Sequence, residues 1–165
     1  MNSVPKIESI NSKQLVGLSC EMSLIENTTE ALFSQFIPYK LRCALQNNAT
    51  VFEVLLYDST YFSAFKPEKT FVKWATIEAN DCATVPSSFK SIQIPQGLYA
   101  VFSFSGRVAD FPKYMQFIFT EWLPNSDYSI DHRPHFNVLD TAFKKGDSHT
   151  NEMVYIPITL KTKTF

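Results

Sequence analysis

The order strand, helix, strand, strand occurs twice along this chain, and an offset of 84 residues lays the second copy on the first. The offset superposes Ile10 on Ile94, Ser19 on Ser103, Phe52 on Phe136, Val54 on Val138 and Leu55 on Leu139. Each copy has one helix to cover a sheet face, so the repeat predicts two half-domains related by a pseudo-twofold, with a concavity at their seam. The 165 residues suit one domain, with halves expected over about 4–85 and 86–161. Such a seam is a usual place for a small-molecule pocket, so the arrangement points to binding before any motif does.

The elements follow from local pattern. Lys6 to Ile10 and Gln14 to Met22 alternate loosely and read as strands around the turn Asn11-Ser12-Lys13. Asn27 and Glu30 have capping-box spacing, and Leu32, Phe33, Phe36 and Ile37 recur at helical intervals, predicting a helix over 28–44 that Pro38 kinks or ends. Val51 to Tyr57 is a core strand interrupted by Glu53, and Asp58 to Lys69 reads as an aromatic loop covering something, with Tyr61, Phe62 and Phe65. Phe71 to Glu78 is a strand, and Phe89 to Ile94 with Leu98 to Phe104 a bent pair broken at Pro95-Gln96-Gly97. Asp110 precedes an apolar helical stripe of Phe111, Tyr114, Met115, Ile118 and Trp122 that stops before Pro124. His135 to Leu139 and Met153 to Leu160 close the second copy, joined by a polar loop over Thr141 to Glu152 that contains Lys144-Lys145-Gly146-Asp147.

Charge and composition exclude several classes. Fifteen Lys and Arg against sixteen Asp and Glu leave a formal charge of −1, without the basic excess that grips phosphates, so no direct nucleic-acid partner is expected. Hydrophobic residues at 45% exclude disorder, while the apolar runs are far shorter than the roughly 18 residues of a membrane helix. With no leader pattern at Met1 to Pro5, a cytoplasmic protein is expected. Cys20, Cys43 and Cys82 lack disulfide-framework or zinc spacing and read as reduced, mostly buried thiols. His132 and His135 sit on a loop and a strand start, where three-residue spacing does not converge on a metal, and Gly17, Gly97, Gly106 and Gly146 are isolated. No metal and no cofactor are expected.

Four motifs, in order, carry a family resemblance: Ile94-Pro95-Gln96-Gly97-Leu98-Tyr99-Ala100-Val101-Phe102; Glu121-Trp122-Leu123-Pro124-Asn125-Ser126-Asp127-Tyr128; Phe136-Asn137-Val138-Leu139; and Tyr155-Ile156-Pro157-Ile158. The chain resembles the GyrI-like small-molecule-binding domain, the effector-binding module of AraC-type and multidrug-sensing MerR-type bacterial regulators, from Pro5 to Ile158. The resemblance implies an α+β fold of two pseudo-twofold-related strand-helix-strand-strand units with a ligand cleft at their seam. It also implies a stand-alone form, since no residues remain for a helix-turn-helix. In multidrug-sensing relatives a buried Glu on the strand matching Phe136-Asn137-Val138 attracts cationic aromatic ligands and a Tyr of the last strand lines the pocket. Here Asn137 replaces that Glu and Tyr155 matches the tyrosine, so the selection for cations is removed at that point.

Glu121 stands at the edge of the helical stripe, where it is either a half-buried carboxylate for ligand capture or acid/base chemistry, or a helix-end group in solvent. Glu53 corresponds to Asn137 under the 84-residue offset and either restores a pocket carboxylate from the opposite half or faces out from an edge strand; Glu78 has the same alternatives. Trp74, Tyr99, Tyr155 and the loop aromatics Tyr61, Phe62 and Phe65 are candidate stacking surfaces for a planar ligand or ordinary core, whereas Phe102 and Trp122 read mainly as packing. The leading expectation is capture of an apolar or amphiphilic aromatic ligand by a sensor, carrier or sequestering protein, monomeric or homodimeric. Two alternatives come from the resemblance. One is hydrolysis of strained electrophilic genotoxins with Glu121 as base and Tyr99 or Tyr155 as proton donor; the other is a gyrase-inhibitor-like protein contact.

Overall fold

The computed structural model describes residues 3–140 and 147–163. Nine strands occur among them: β1 (Lys6–Ile10), β2 (Lys13–Met22), β3 (Phe52–Leu56), β4 (Phe71–Glu78), β5 (Lys90–Ile94), β6 (Gly97–Arg107), β7 (Tyr128–Ile130), β8 (His135–Leu139) and β9 (His149–Leu160). Helix α1 (Thr29–Cys43) follows β2, and α2 (Phe111–Phe117) follows β6, continuing through a π-helical turn (Ile118–Trp122) into the short α3 (Leu123–Asn125).

The strands form an antiparallel sheet in the order β1-β6-β9-β8-β3-β4-β2-β5, with β7 added to β9. The order reads the same from either end under the repeat. The equivalent central strands β3 and β8 pair with Glu53 opposite Asn137 and Val54 opposite Phe136. The two residues that the 84-residue offset equates therefore meet on the pseudo-twofold itself. The outer strands are exchanged: β1 of the first half pairs with β6 of the second, and β5 pairs with β2. Lys13 lies opposite Ile94 and Ile10 opposite Gly97, so the two bent strand pairs meet where each changes direction.

Strand alternation sends successive side chains to opposite faces, and both faces are buried near the centre. One face carries the helices. There α1 buries Leu32, Phe36, Lys40 and Cys43 beside Val16, Leu55, Ala75 and Ile77. The second helical segment buries Tyr114, Ile118 and Leu123 beside Ala100, Phe102, Phe104, Val154 and Ile156. The other face gathers Leu15, Phe52, Val54, Trp74, Ile94, Tyr99, Val101 and Phe136, with Tyr155 packed on it.

Most predicted elements lie within two or three residues of the observed ones, and Pro38 is accommodated inside α1. Asn27 binds the first turn one residue off the expected geometry: its Oδ1 accepts from the Thr29 backbone N–H at 3.0 Å and from the Thr29 hydroxyl. Asp110 is engaged by Arg107 at 2.9 Å and does not cap α2. The loop read over Thr141 to Glu152 falls outside the described residues at 141–146, and β9 begins inside it, at His149. The second helical stripe is altered by the π turn. Its buried positions step from Tyr114 to Ile118 to Leu123, five residues in the last step, and Trp122 stands half-buried with its ring edge-on to Phe102 at 5.0 Å. No helix among the described residues is long and apolar enough to cross a membrane.

Candidate functional site

The seam lies on the helix-bearing face, where α1 covers one half of the sheet and the α2 segment the other. Four polar side chains form its floor across the central strands β4, β3, β8 and β9. Glu53 and Asn137 are a directly opposed pair, and the Asn137 Nδ2 donates to Glu53 Oε1 at 3.4 Å. Lys73 lies opposite Leu55, and Glu152 lies opposite Leu139. Leu55 and Leu139 are themselves equivalent in the repeat, so Lys73 and Glu152 are pseudo-symmetric mates of opposite charge flanking the axis.

Lys73 is committed to its own half. Its ammonium stands 3.5 Å from Glu53 Oε1 and donates to the Thr29 hydroxyl of α1 at 2.8 Å. Both Lys73 and Glu53 side chains are nearly out of solvent, at 11% and 13% exposure. The edge-strand alternative for Glu53 is thereby overturned, since β3 is at the centre of the sheet. Glu152 has no equivalent cation within ion-pair distance among the described residues; the Thr150 hydroxyl donates to its Oε1 at 3.5 Å. Burial and the neighbouring Glu53 push its carboxyl up to about 7, against the opposing influence of Lys73 and Thr150. A buried carboxylate with no cation beside it holds its proton because its charged form loses hydration.

Aromatic rings gather beside this floor at its Lys73 end, where His135 lies opposite Leu55 and Leu55 opposite Lys73. Tyr57, at the end of β3, is edge-on to Phe62 at 4.9 Å and to the His135 ring at 4.9 Å. Phe62, from the 58–69 connection, stacks on Phe119 of the π turn at 4.7 Å and on His135 at 5.5 Å. The Phe62–Phe119 contact joins the packing of the two halves across the seam. Burial and then Arg133 push His135 down to about 3, so its ring is neutral and serves as another aromatic surface. The Tyr57 hydroxyl is held far above its ordinary range by burial, Tyr61 and Glu53. Beside this cluster opens a pocket of about 170 Å³ reached between Tyr57, Phe62, Ser63, Asp131, His132 and His135.

The sequence-predicted residues divide. Glu53 and Asn137 are on the floor. Trp74, Tyr99 and Tyr155 point to the opposite face, because each is one residue out of phase with Lys73, Ala100 or Val154. There Tyr155 stacks on Phe136 at 4.3 Å, and the Tyr99 hydroxyl donates to the Pro134 carbonyl at 2.9 Å under the Arg133 guanidinium. The cleft-wall expectation for these three is corrected to core packing. The half-buried reading of Glu121 is corrected as well: it is exposed on the π turn, and its backbone carbonyl accepts from Asn125 Nδ2 at 2.7 Å. Glu78 faces outward and stands 3.6 Å from Lys13.

Sequence reasoning missed Lys73, Glu152 and Phe119 as site residues, whereas the aromatic reading of the 58–69 loop marks Phe62. Lys73 had a signal, a lone cation in the apolar run Phe71 to Ile77. Glu152 had none, since it was assigned to a loop. Among the described residues no group of three or more His, Cys, Asp or Glu is placed to hold a metal ion.

The sequence profile of the integron-associated effector binding proteins (Cass2) matches residues 6–158, and the chain belongs to that family. No curated protein sequence matches the chain. An integron cassette protein from the mobile metagenome of Vibrio cholerae has the same fold, with a TM-score of 0.65, 12% identity, and 96% of this chain and 100% of that one covered. The C-terminal domain of EcmrR superposes with a TM-score of 0.67 at 12% identity, covering 98% and 100%. SAV2435, whose structure is bound to tetraphenylphosphonium, superposes at 0.62 with 12% identity, covering 96% and 94%. These are GyrI-like effector-binding domains, and family membership brings small-molecule binding to this chain.

Proposed function

We propose that this protein captures an amphiphilic aromatic compound in the seam between its halves and serves in the cytoplasm as a sensor, carrier or sequestering factor. The observation that carries the reading is an aromatic cluster, Tyr57, Phe62, Phe119 and His135, on the same sheet face as a polar floor whose one carboxylate lacking a cation among the described residues is Glu152. Rings supply area and offset or edge contacts for a planar ligand. A desolvated carboxylate favours a ligand cation, since pairing removes the cost of an isolated buried charge. Glu53 offers less, being engaged by Lys73 and Asn137. Glu152 thus stands in for the carboxylate absent at Asn137, from a neighbouring strand.

The test is a thermal-shift and calorimetric panel at pH 8.5 with (1-naphthylmethyl)trimethylammonium, 1-naphthylmethanol and 1-naphthaleneacetate. A ligand at 100 times its dissociation constant stabilises by about 2.7 kcal/mol. The cation is expected to bind tightest, with Phe119→Ala weakening all binders and Glu152→Gln removing the preference for the cation. Absence of stabilisation by any of the three would reject the site.

A further inference from the structure

Away from the seam, two buried cysteines come from distant parts of the chain to one place. Cys43 closes the last turn of α1, and Cys82 lies in the connection from β4 to β5; they are 5% and 9% exposed. The backbone fixes their proximity. Ala44 forms an antiparallel bridge with Cys82, the Ala83 N–H donates to the Cys43 carbonyl at 2.7 Å, and the Leu45 N–H donates to the Asp81 carbonyl at 2.8 Å. Both thiols belong to the same packed cluster with Phe36 and Phe89. Cys82 makes a weak contact to the Thr84 carbonyl at 3.4 Å.

The site is also reachable. A surface pocket of about 360 Å³ opens onto Cys43 between Tyr39, Arg42, Ala83, Thr84, Pro86 and Ser87. Cys20, in contrast, lies on β2 against Thr28 and has neither cysteine as a strand neighbour. We infer that Cys43 and Cys82 form a reversible disulfide that clasps the C-terminal end of α1 to the β4–β5 connection when a small disulfide oxidant is supplied.

The chemistry balances through two exchanges. One cysteine thiolate attacks the reagent disulfide, forming a mixed disulfide and expelling one reagent thiolate. The second cysteine thiolate then attacks the protein sulfur, forming the Cys43–Cys82 bond and expelling the other reagent thiolate. Two thiol protons leave the protein, and its two electrons reduce the reagent. Burial, with the Cys82 thiol beside it, pushes Cys43 up to about 11, so its thiolate is scarce near neutrality and the reaction quickens as pH rises. Because α1 carries Thr29 at its other end, the clasp acts on the same helix that holds Lys73.

The experiment uses the Cys20→Ser protein with 4,4′-dipyridyl disulfide at pH 8.5, read by released pyridinethione, intact mass and melting temperature. The expected result is two pyridinethiones released per chain and a mass lower by two hydrogens. A rise in Tm of roughly 5 to 15 °C should accompany it and be reversed by dithiothreitol. Retention of two pyridyl adducts, or reaction of the thiols only after unfolding in urea, would overturn the inference. Peptide mapping of the oxidised wild-type chain gives the same decision without relying on the variant: a Cys43–Cys82 crosslinked peptide supports it, and a Cys20-containing crosslink in its place refutes it.

Discussion

Replacing Glu152 by Gln isolates the cost of the floor's unpaired carboxylate. Burial and Glu53 raise this group from 4.5 to about 7 in the folded chain. The native state therefore binds the proton more tightly than the unfolded state does. Stability from this group is complete below about pH 4.5 and is lost as pH rises toward about 7. At about 1.36 kcal/mol per pH unit, the interval amounts to about 3 kcal/mol once both states are ionised. The amide keeps the shape and can still accept from Thr150, so Glu152→Gln should remove that penalty with little new strain. The variant should match the parent at pH 4 and exceed it by about 3 kcal/mol at pH 8, with roughly half the gain present near pH 6. Urea unfolding at half-unit steps from pH 4 to pH 8.5 measures the difference. A gain that does not vary with pH, or a loss that grows as pH rises, would refute the reasoning.

Lys73→Met leaves Glu53 with only the Asn137 amide; a loss of about 2 to 4 kcal/mol is expected in urea unfolding at pH 8. Arg133→Ala removes the guanidinium that donates to the Leu98 carbonyl at 2.6 Å and the Ile158 carbonyl at 3.1 Å and stacks on Tyr99; about 3 kcal/mol should be lost in chemical denaturation, and Arg133→Lys should recover less than half. Gly17→Ala would drive a Cβ into the Ala75 carbonyl across β2 and β4, so about 2 to 3 kcal/mol of destabilisation is expected, whereas a neutral result would mean that the two backbones are not so close.

The repeat was legible because its signals are local. Alternation gave the strands, the spacing of Leu32, Phe33, Phe36 and Ile37 gave α1, and the equivalence of Glu53 with Asn137 proved to be a physical pairing at the sheet centre. The site was less legible, because it depends on phase. Tyr155 and Glu152 lie on one strand, yet an odd separation sends them to opposite faces, and a motif match does not carry that parity. The Glu121 reading extrapolated a regular helix through Phe119, where the chain widens into a π turn. No side-chain pattern marks that extra residue, and it decides which side chains look into the seam. The Lys73–Glu53 pair was hidden for another reason, since strands adjacent in space are separated by the whole 58–69 connection.

The exchange of β1 and β5 between halves makes each half incomplete by itself. Severed between Ile94 and Gly97, the first fragment would keep β5 against β2 but carry β1 with no strand to lie on, while the second would present the bare flank of β6. The two fragments should therefore rejoin when mixed, each completing the other's sheet. The seam that holds the candidate site would exist only in the rejoined pair, so recovery of ligand binding would report reassembly.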